Sequence, residues 1–216
     1  MPSKFAEIVK SNQVHLSGLS SPPVAVIVGG TSGIGQGMAE VLARHRNGQV
    51  HLIIVGRNQD AASKIFAGLP KTDEQSSWTR EFVKCDVTLM RNVHAAAQEI
   101  LSKHDKINYL VLSTGFLATK RIETAEGNDA GLCAFYYSRW KFIDELLPAL
   151  RKATEAGEEA RILSVLAAGY GGVNIPLDNL GWKTFPALSS IRPLMTTYND
   201  LMIAVGDLEL LGPYFG

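Results

Sequence analysis

Val24-Ala25-Val26-Ile27-Val28 runs straight into Gly29-Gly30-Thr31-Ser32-Gly33-Ile34-Gly35, and few folds accept that junction. Five apolar residues, mostly β-branched, read as a strand buried on both faces. The glycines turn the chain, and a helical pattern opens at once. Met38, Val41 and Leu42 recur at three- and four-residue steps, with Glu40 and Arg44 between them. Strand, glycine turn and helix together form the context in which glycines cradle a phosphate. Gly29 permits the tight turn, Gly33 lets the backbone approach a pyrophosphate, and Gly35 lets the helix pack closely on the strand. The free N–H groups at Gly33, Ile34 and Gly35 lie at the positive end of that helix, facing the anion. Thr31 and Ser32 add hydroxyl donors. A purely structural turn would use the same glycines, so the rest of the chain decides.

The rest alternates. Further strands are expected at 50–55, 80–87, 107–112 and 161–166. Helices are expected at 60–69, 93–101 and 131–152, with a last one from about Met195. Strands and helices in alternation predict an α/β fold: a doubly wound parallel sheet, Rossmann-like, in three layers α/β/α. Residues 168–193 are rich in Gly and Pro and read as a loop. Residues 1–23 read as an N-terminal extension ending in Ser20-Ser21-Pro22-Pro23, with Ile8 and Val9 on a short helix against the outside of the sheet. Residues 24–216 read as one dinucleotide-binding domain.

Composition excludes some partners. Of 216 residues, 46% are hydrophobic, enough for a sizeable core. Lys+Arg and Asp+Glu are 21 each, so no basic excess argues for nucleic acid or an anionic membrane. No apolar run approaches a membrane span, and Met1 to Leu19 lacks a signal-peptide core. Cys85 and Cys133 have no CxxC spacing and read as reduced, buried thiols. No residue spacing predicts a metal site. A cytoplasmic protein acting on a small molecule is the expectation.

The second strand ends at Gly56-Arg57, about 20 residues past the glycine turn. There an acidic residue would bond a ribose 2′-hydroxyl. Arg57 stands close by instead, and a guanidinium pairs with a 2′-phosphate. This favours NADP (NADPH) over NAD. A solvated loop arginine is the plainer alternative.

The Gly-x-x-x-Gly-x-Gly spacing resembles the short-chain dehydrogenase/reductase family, with Val28 where that family has threonine. The resemblance implies an oxidoreductase moving a hydride between nicotinamide and a carbonyl or alcohol. It implies that Asp86 and Val87, after the third strand, contact the adenine; Asp86 would equally cap the next helix with Thr88. It implies that Ser113-Thr114-Gly115, in place of Asn-Ala-Gly, lies along the nicotinamide ribose, and that subunits pair through the long helices. Leu146-Leu147-Pro148 also fits.

The family's catalytic Ser, Tyr, Lys and Asn are another matter. Ala167 occupies the serine place, with Ser164 inside the strand, and Phe135 falls near the asparagine place. Tyr198 is the best candidate for the tyrosine, but Met202 replaces its lysine, and Tyr198 reads equally as a core aromatic. A true Tyr-x-x-x-Lys, Tyr137 to Lys141, comes too early in the chain. The two strands that the family adds after its last helix are not found. Tyr-Tyr-Ser-Arg at 136–139 and Thr-Thr-Tyr-Asn at 196–199 resemble a divergent group of fungal short-chain dehydrogenases that accompany specialised-metabolite pathways. The sequence thus supports an NADP-dependent reductase or dehydrogenase, with a non-redox, cofactor-binding pathway protein as the alternative.

Overall fold

The computed structural model describes residues 2–17, 21–70, 77–116 and 118–209. The elements run α1 (Pro2–Ser17), β1 (Val24–Val28), α2 (Gly33–His45), β2 (His51–Gly56), α3 (Gln59–Gly68), β3 (Arg80–Lys84), α4 (Met90–Leu101) and β4 (Tyr109–Leu112). There follow α5 (Ala130–Leu132), a π-helical turn (Cys133–Tyr137), α6 (Ser138–Glu155), β5 (Arg161–Ser164), a 3-10 turn (Leu177–Asn179) and α7 (Leu188–Glu209). The five strands form one parallel sheet in the order β3-β2-β1-β4-β5.

Strand alternation builds the layers. Val26 and Val28 of β1 point to one face, packing with Val93, Ala97 and Ile100 of α4 and Phe142, Leu146 and Leu150 of α6. Ala25 and Ile27 point to the other face, against Ala39 and Ala43 of α2 and Ala62 and Ile65 of α3. Both faces are thus covered, which is why β1 and β2 are apolar throughout. This is the three-layer doubly wound arrangement expected.

Details depart from expectation. The third and fifth strands stop at Lys84 and Ser164, because their pairing ends opposite Gly56 and Leu112. The long helix is not regular: a π turn at 133–137 separates α5 from α6. Helix α7 starts at Leu188, so Pro193 lies inside it rather than before it. Helix α1 forms, but Ile8 is 57% exposed and Phe5 and Val14 also face solvent. The expected packing of Ile8 on the sheet does not occur. Cys85 and Cys133 are free and buried, and burial pushes both thiols up to about 12.

Candidate active site

The register places the ends of β1, β2, β3 and β4 in one row, and most of the residues singled out for cofactor binding follow those ends. Sheet order reverses between β1 and β4, the switch point where open α/β sheets bind ligands. At the glycine turn Gly29 has φ +86° and Gly33 φ +58°, the left-handed region that glycine enters without strain. A Cβ on Gly35 would lie 2.5 Å from the Gly29 carbonyl oxygen and from Ser113 Oγ, so only glycine lets α2 sit this close. A Cβ on Gly33 would meet nothing within 4 Å, so that face of the turn is open. Ser32 precedes α2 in extended conformation and places no side-chain cap on it. The first-turn amides, including that of Ile34, therefore point out of the helix without a side-chain acceptor from Ser32.

Around this turn the other residues take their places. Gly56 ends β2 against Thr31, whose methyl would lie 2.9 Å from a Cβ there, and Arg57 follows, exposed. Asp86 Oδ1 accepts from Thr88 N at 3.0 Å and Thr88 Oγ1 at 2.8 Å. It does not cap α4: that helix begins after Leu89, and Glu126 accepts from its Met90 and Arg91 amides at 2.7 and 3.1 Å. Val87 packs against the core beside Asp86. Ser113 donates to the Val28 carbonyl at 3.2 Å, tying the end of β4 to the end of β1. Gly115 carries no side chain because the Phe135 ring occupies that space.

Next to the turn lies a cavity of about 280 Å³, bordered by Ser113-Thr114-Gly115 after β4 and by Val165, Leu166 and Ala167 after β5. The π turn contributes Phe135, α6 contributes Arg139, and α7 contributes Arg192, Met195, Thr196 and Asn199. Arg139 is 2% exposed; its guanidinium donates to the carbonyls of Leu112 (3.0 Å) and Thr114 (2.7 Å) and to Ser164 Oγ (2.6 Å). Burial lowers it to about 10, so it stays charged at neutral pH. Asn199 donates to the carbonyls of Phe135 and Met195, and its Oδ1 is buried without a partner.

Tyr198 is not on this cavity. It packs among Leu132, Trp182, Ile191 and Leu194, with its ring 5.2 Å from that of Tyr136. Its hydroxyl is buried with no partner, and burial raises its pKa. Tyr137 and Lys141 line a separate groove on the outer side of α6, where Lys141 pairs with Glu145 at 2.6 Å. Among the described residues no cluster of three His, Cys, Asp or Glu side chains would hold a metal ion. No helix there is long and apolar enough to cross a membrane.

Sequence reasoning singled out neither Arg139 nor Asn199 as a site residue. Each had a signal: Arg139 stands on the apolar stripe continued by Phe142, Leu146 and Leu150, and Asn199 stands four residues after Met195 on the buried face of α7. A polar group on a buried stripe needs a partner or a role.

A doubly wound parallel sheet with a glycine turn at its switch point defines a dinucleotide-binding type of fold. Residues 23–133 match the short chain dehydrogenase family. Two curated relatives are the oxidoreductase andH of Emericella variicolor, 36% identical over 180 residues (83% of this chain, 51% of andH), and the oxidoreductase AN1596 of Emericella nidulans, 38% identical over 165 residues (75% and 47%). The chain thus spans about half the length of these relatives. A solved structure of similar fold is the bulky-bulky ketone specific alcohol dehydrogenase from Comamonas testosteroni, with TM-score 0.64, 18% identity and coverage of 91% of this chain and 70% of that one. The chain belongs to the short-chain dehydrogenase family.

Proposed function

We propose that residues 24–216 form one dinucleotide-binding domain, following the 1–23 extension, of an NADP-dependent oxidoreductase. Its substrate is a carbonyl or alcohol of a small organic molecule, an intermediate of specialised metabolism, handled in the cytoplasm. The observation that carries the reading is the glycine turn: Gly35 is packed on the Gly29 carbonyl while Gly33 faces open space beneath an uncapped helix. That arrangement fits a pyrophosphate, since the open face at Gly33 lets the backbone approach and the helix end is positive. Arg57 would hold the 2′-phosphate, Asp86 and Val87 the adenine, and Ser113 and Gly115 the nicotinamide ribose. The cofactor, once bound, supplies the hydride. The chain's own residues orient it and close the apolar cavity around the substrate. Subunit pairing through α6 belongs to the same reading.

A second reading, a cofactor-binding protein without redox activity, is favoured by one observation. Among the described residues, the cavity lining contains no tyrosine, lysine or carboxylate to exchange a proton. Titration with NADPH and NADH, followed by NADPH oxidation on a panel of aryl and alkyl ketones, separates the two. NADPH binding at least tenfold tighter than NADH, lost in Arg57→Ala, together with ketone-dependent oxidation, supports the reductase. Binding without oxidation supports the second reading. Absence of binding overturns both.

A further inference from the structure

Among the described residues that line it, the cavity between the strand ends and α7 has two arginines and no carboxylate. Arg139 forms its floor. Among the described residues that guanidinium has no carboxylate within ion-pair distance, and its Nε bonds to nothing. Arg192, from the first turns of α7, stands exposed at the rim. Its guanidinium lies over the Tyr170 ring, 4.9 Å from the centroid, and its donors bond to no described residue. A guanidinium stacked on an aromatic face keeps its five edge N–H donors available, in a planar fork that matches a carboxylate. The rest of the lining is mostly apolar, with Phe135, Val165, Leu166 and Met195, and its polar groups are uncharged: Ser113, Thr114, Thr196 and Asn199. A neutral ketone that expels water from the cavity brings no counter-charge to either arginine. An anionic one does.

We propose that the cavity selects organic acids: an apolar body carrying a carboxylate that pairs with Arg192 at the rim, in the field of Arg139 below. The inference rests on the cavity being the substrate end of the proposed cofactor cleft. Arg192 sets specificity by direct contact. Arg139, committed to Leu112 on β4, Ser164 on β5 and Thr114 just past β4, contributes charge and holds the walls.

The test is calorimetric titration of the cofactor-free protein with phenylglyoxylate and with its neutral methyl ester. The acid is expected to bind at least tenfold more tightly, in keeping with a charged hydrogen-bonded pair. Arg192→Gln should reduce the gap below about threefold, and Arg192→Lys should keep most of it. Equal binding of acid and ester, no binding of either at millimolar concentration, or an unchanged gap in Arg192→Gln overturns the proposal. So does a loss of NADPH affinity in Arg192→Gln with the acid preference intact, which would assign that guanidinium to a cofactor phosphate. Gly33→Asp separates this inference from the cofactor reading. It puts a carboxylate at the open face of the turn, and acid preference surviving where NADPH binding is lost supports the cavity by itself. A wild-type protein that binds NADPH yet ignores the carboxylate loses this proposal and keeps the other.

Discussion

Arg139 Nη1 donates to Ser164 Oγ at 2.6 Å and to the Leu112 carbonyl at 3.0 Å, so one guanidinium joins the last residues of β4 and β5. Those two residues are register partners in the sheet. The second amino group reaches the Thr114 carbonyl at 2.7 Å, past the end of β4. One buried cation therefore fixes where both strands release the chain toward the cavity. Ser164, the serine nearest the family's catalytic place, is an acceptor for this cation.

Ser164→Ala removes one acceptor from a guanidinium whose Nε is already unpaired. A hydrogen bond to a charged group contributes about 1.5–3 kcal/mol, so the urea midpoint should fall by a corresponding amount. Ser164→Thr keeps the hydroxyl and should recover more than half of the loss. Equal midpoints for Ser164→Ala and the wild type would show that the serine does not hold Arg139.

Two glycines of α2 make a matched pair. At Gly35 an added Cβ would lie 2.5 Å from backbone, whereas at Gly37 it would meet nothing within 4 Å. Gly35→Ala should cost about 1–3 kcal/mol, since the obstacle is the rigid Gly29 carbonyl. Gly37→Ala should stabilise by about 0.5–1 kcal/mol through helix propensity and a stiffer unfolded chain. Thermal melts of the two variants should move in opposite directions, and a loss of stability in Gly37→Ala would contradict the open space there.

The contrast marks what sequence carries. Gly35 was legible because its role follows from position after a buried strand: turn, helix and close approach are local. The layers were legible for the same reason, as in β1, where alternate residues face α4 and α2. What was not legible is set by long-range partners. Glu126 lies 36 residues from the helix it caps, and nothing in its neighbourhood announces that. The π turn at 133–137 reads as ordinary helix, because one extra residue per turn leaves little trace in the pattern. Tyr198 sat at a plausible place in the motif order, yet one step of helix rotation decides between cavity and core. Its neighbour Asn199 lines the cavity and Tyr198 does not.

Glu126 gives a pH prediction. The Met90 and Arg91 amides at the start of α4 hold its carboxyl below the ordinary glutamate value of 4.5. A depressed folded value means the unfolded state takes up the proton first. The contribution is therefore present above about 4.5 and is lost as pH falls through the folded value. Glu126→Gln should be less stable than wild type at neutral pH, and the two should converge as the pH falls below the depressed folded value. Parallel stability curves across that range would rule out the carboxylate cap.

Asn199 offers the sharpest test of how α7 is fastened to the site. Its amide nitrogen donates to the Phe135 carbonyl at 3.1 Å, across 64 positions of chain, and to Met195 O at 2.8 Å. Phe135 lies inside the π turn, where the carbonyls are not spaced for the regular helical ladder, and a side-chain donor takes up the difference. Asn199→Leu removes the donor and should cost about 1–3 kcal/mol, with faster amide exchange over 133–139. Asn199→Asp should be worse: at neutral pH a carboxylate has no N–H, and it would face two carbonyl oxygens in a site 2% exposed. Because the protonated acid regains one donor, the Asp variant should recover stability as pH falls toward 5, opposite in sign to the Glu126 effect. An Asp variant no less stable than the Leu variant at neutral pH would mean that α7 is held by its apolar face alone.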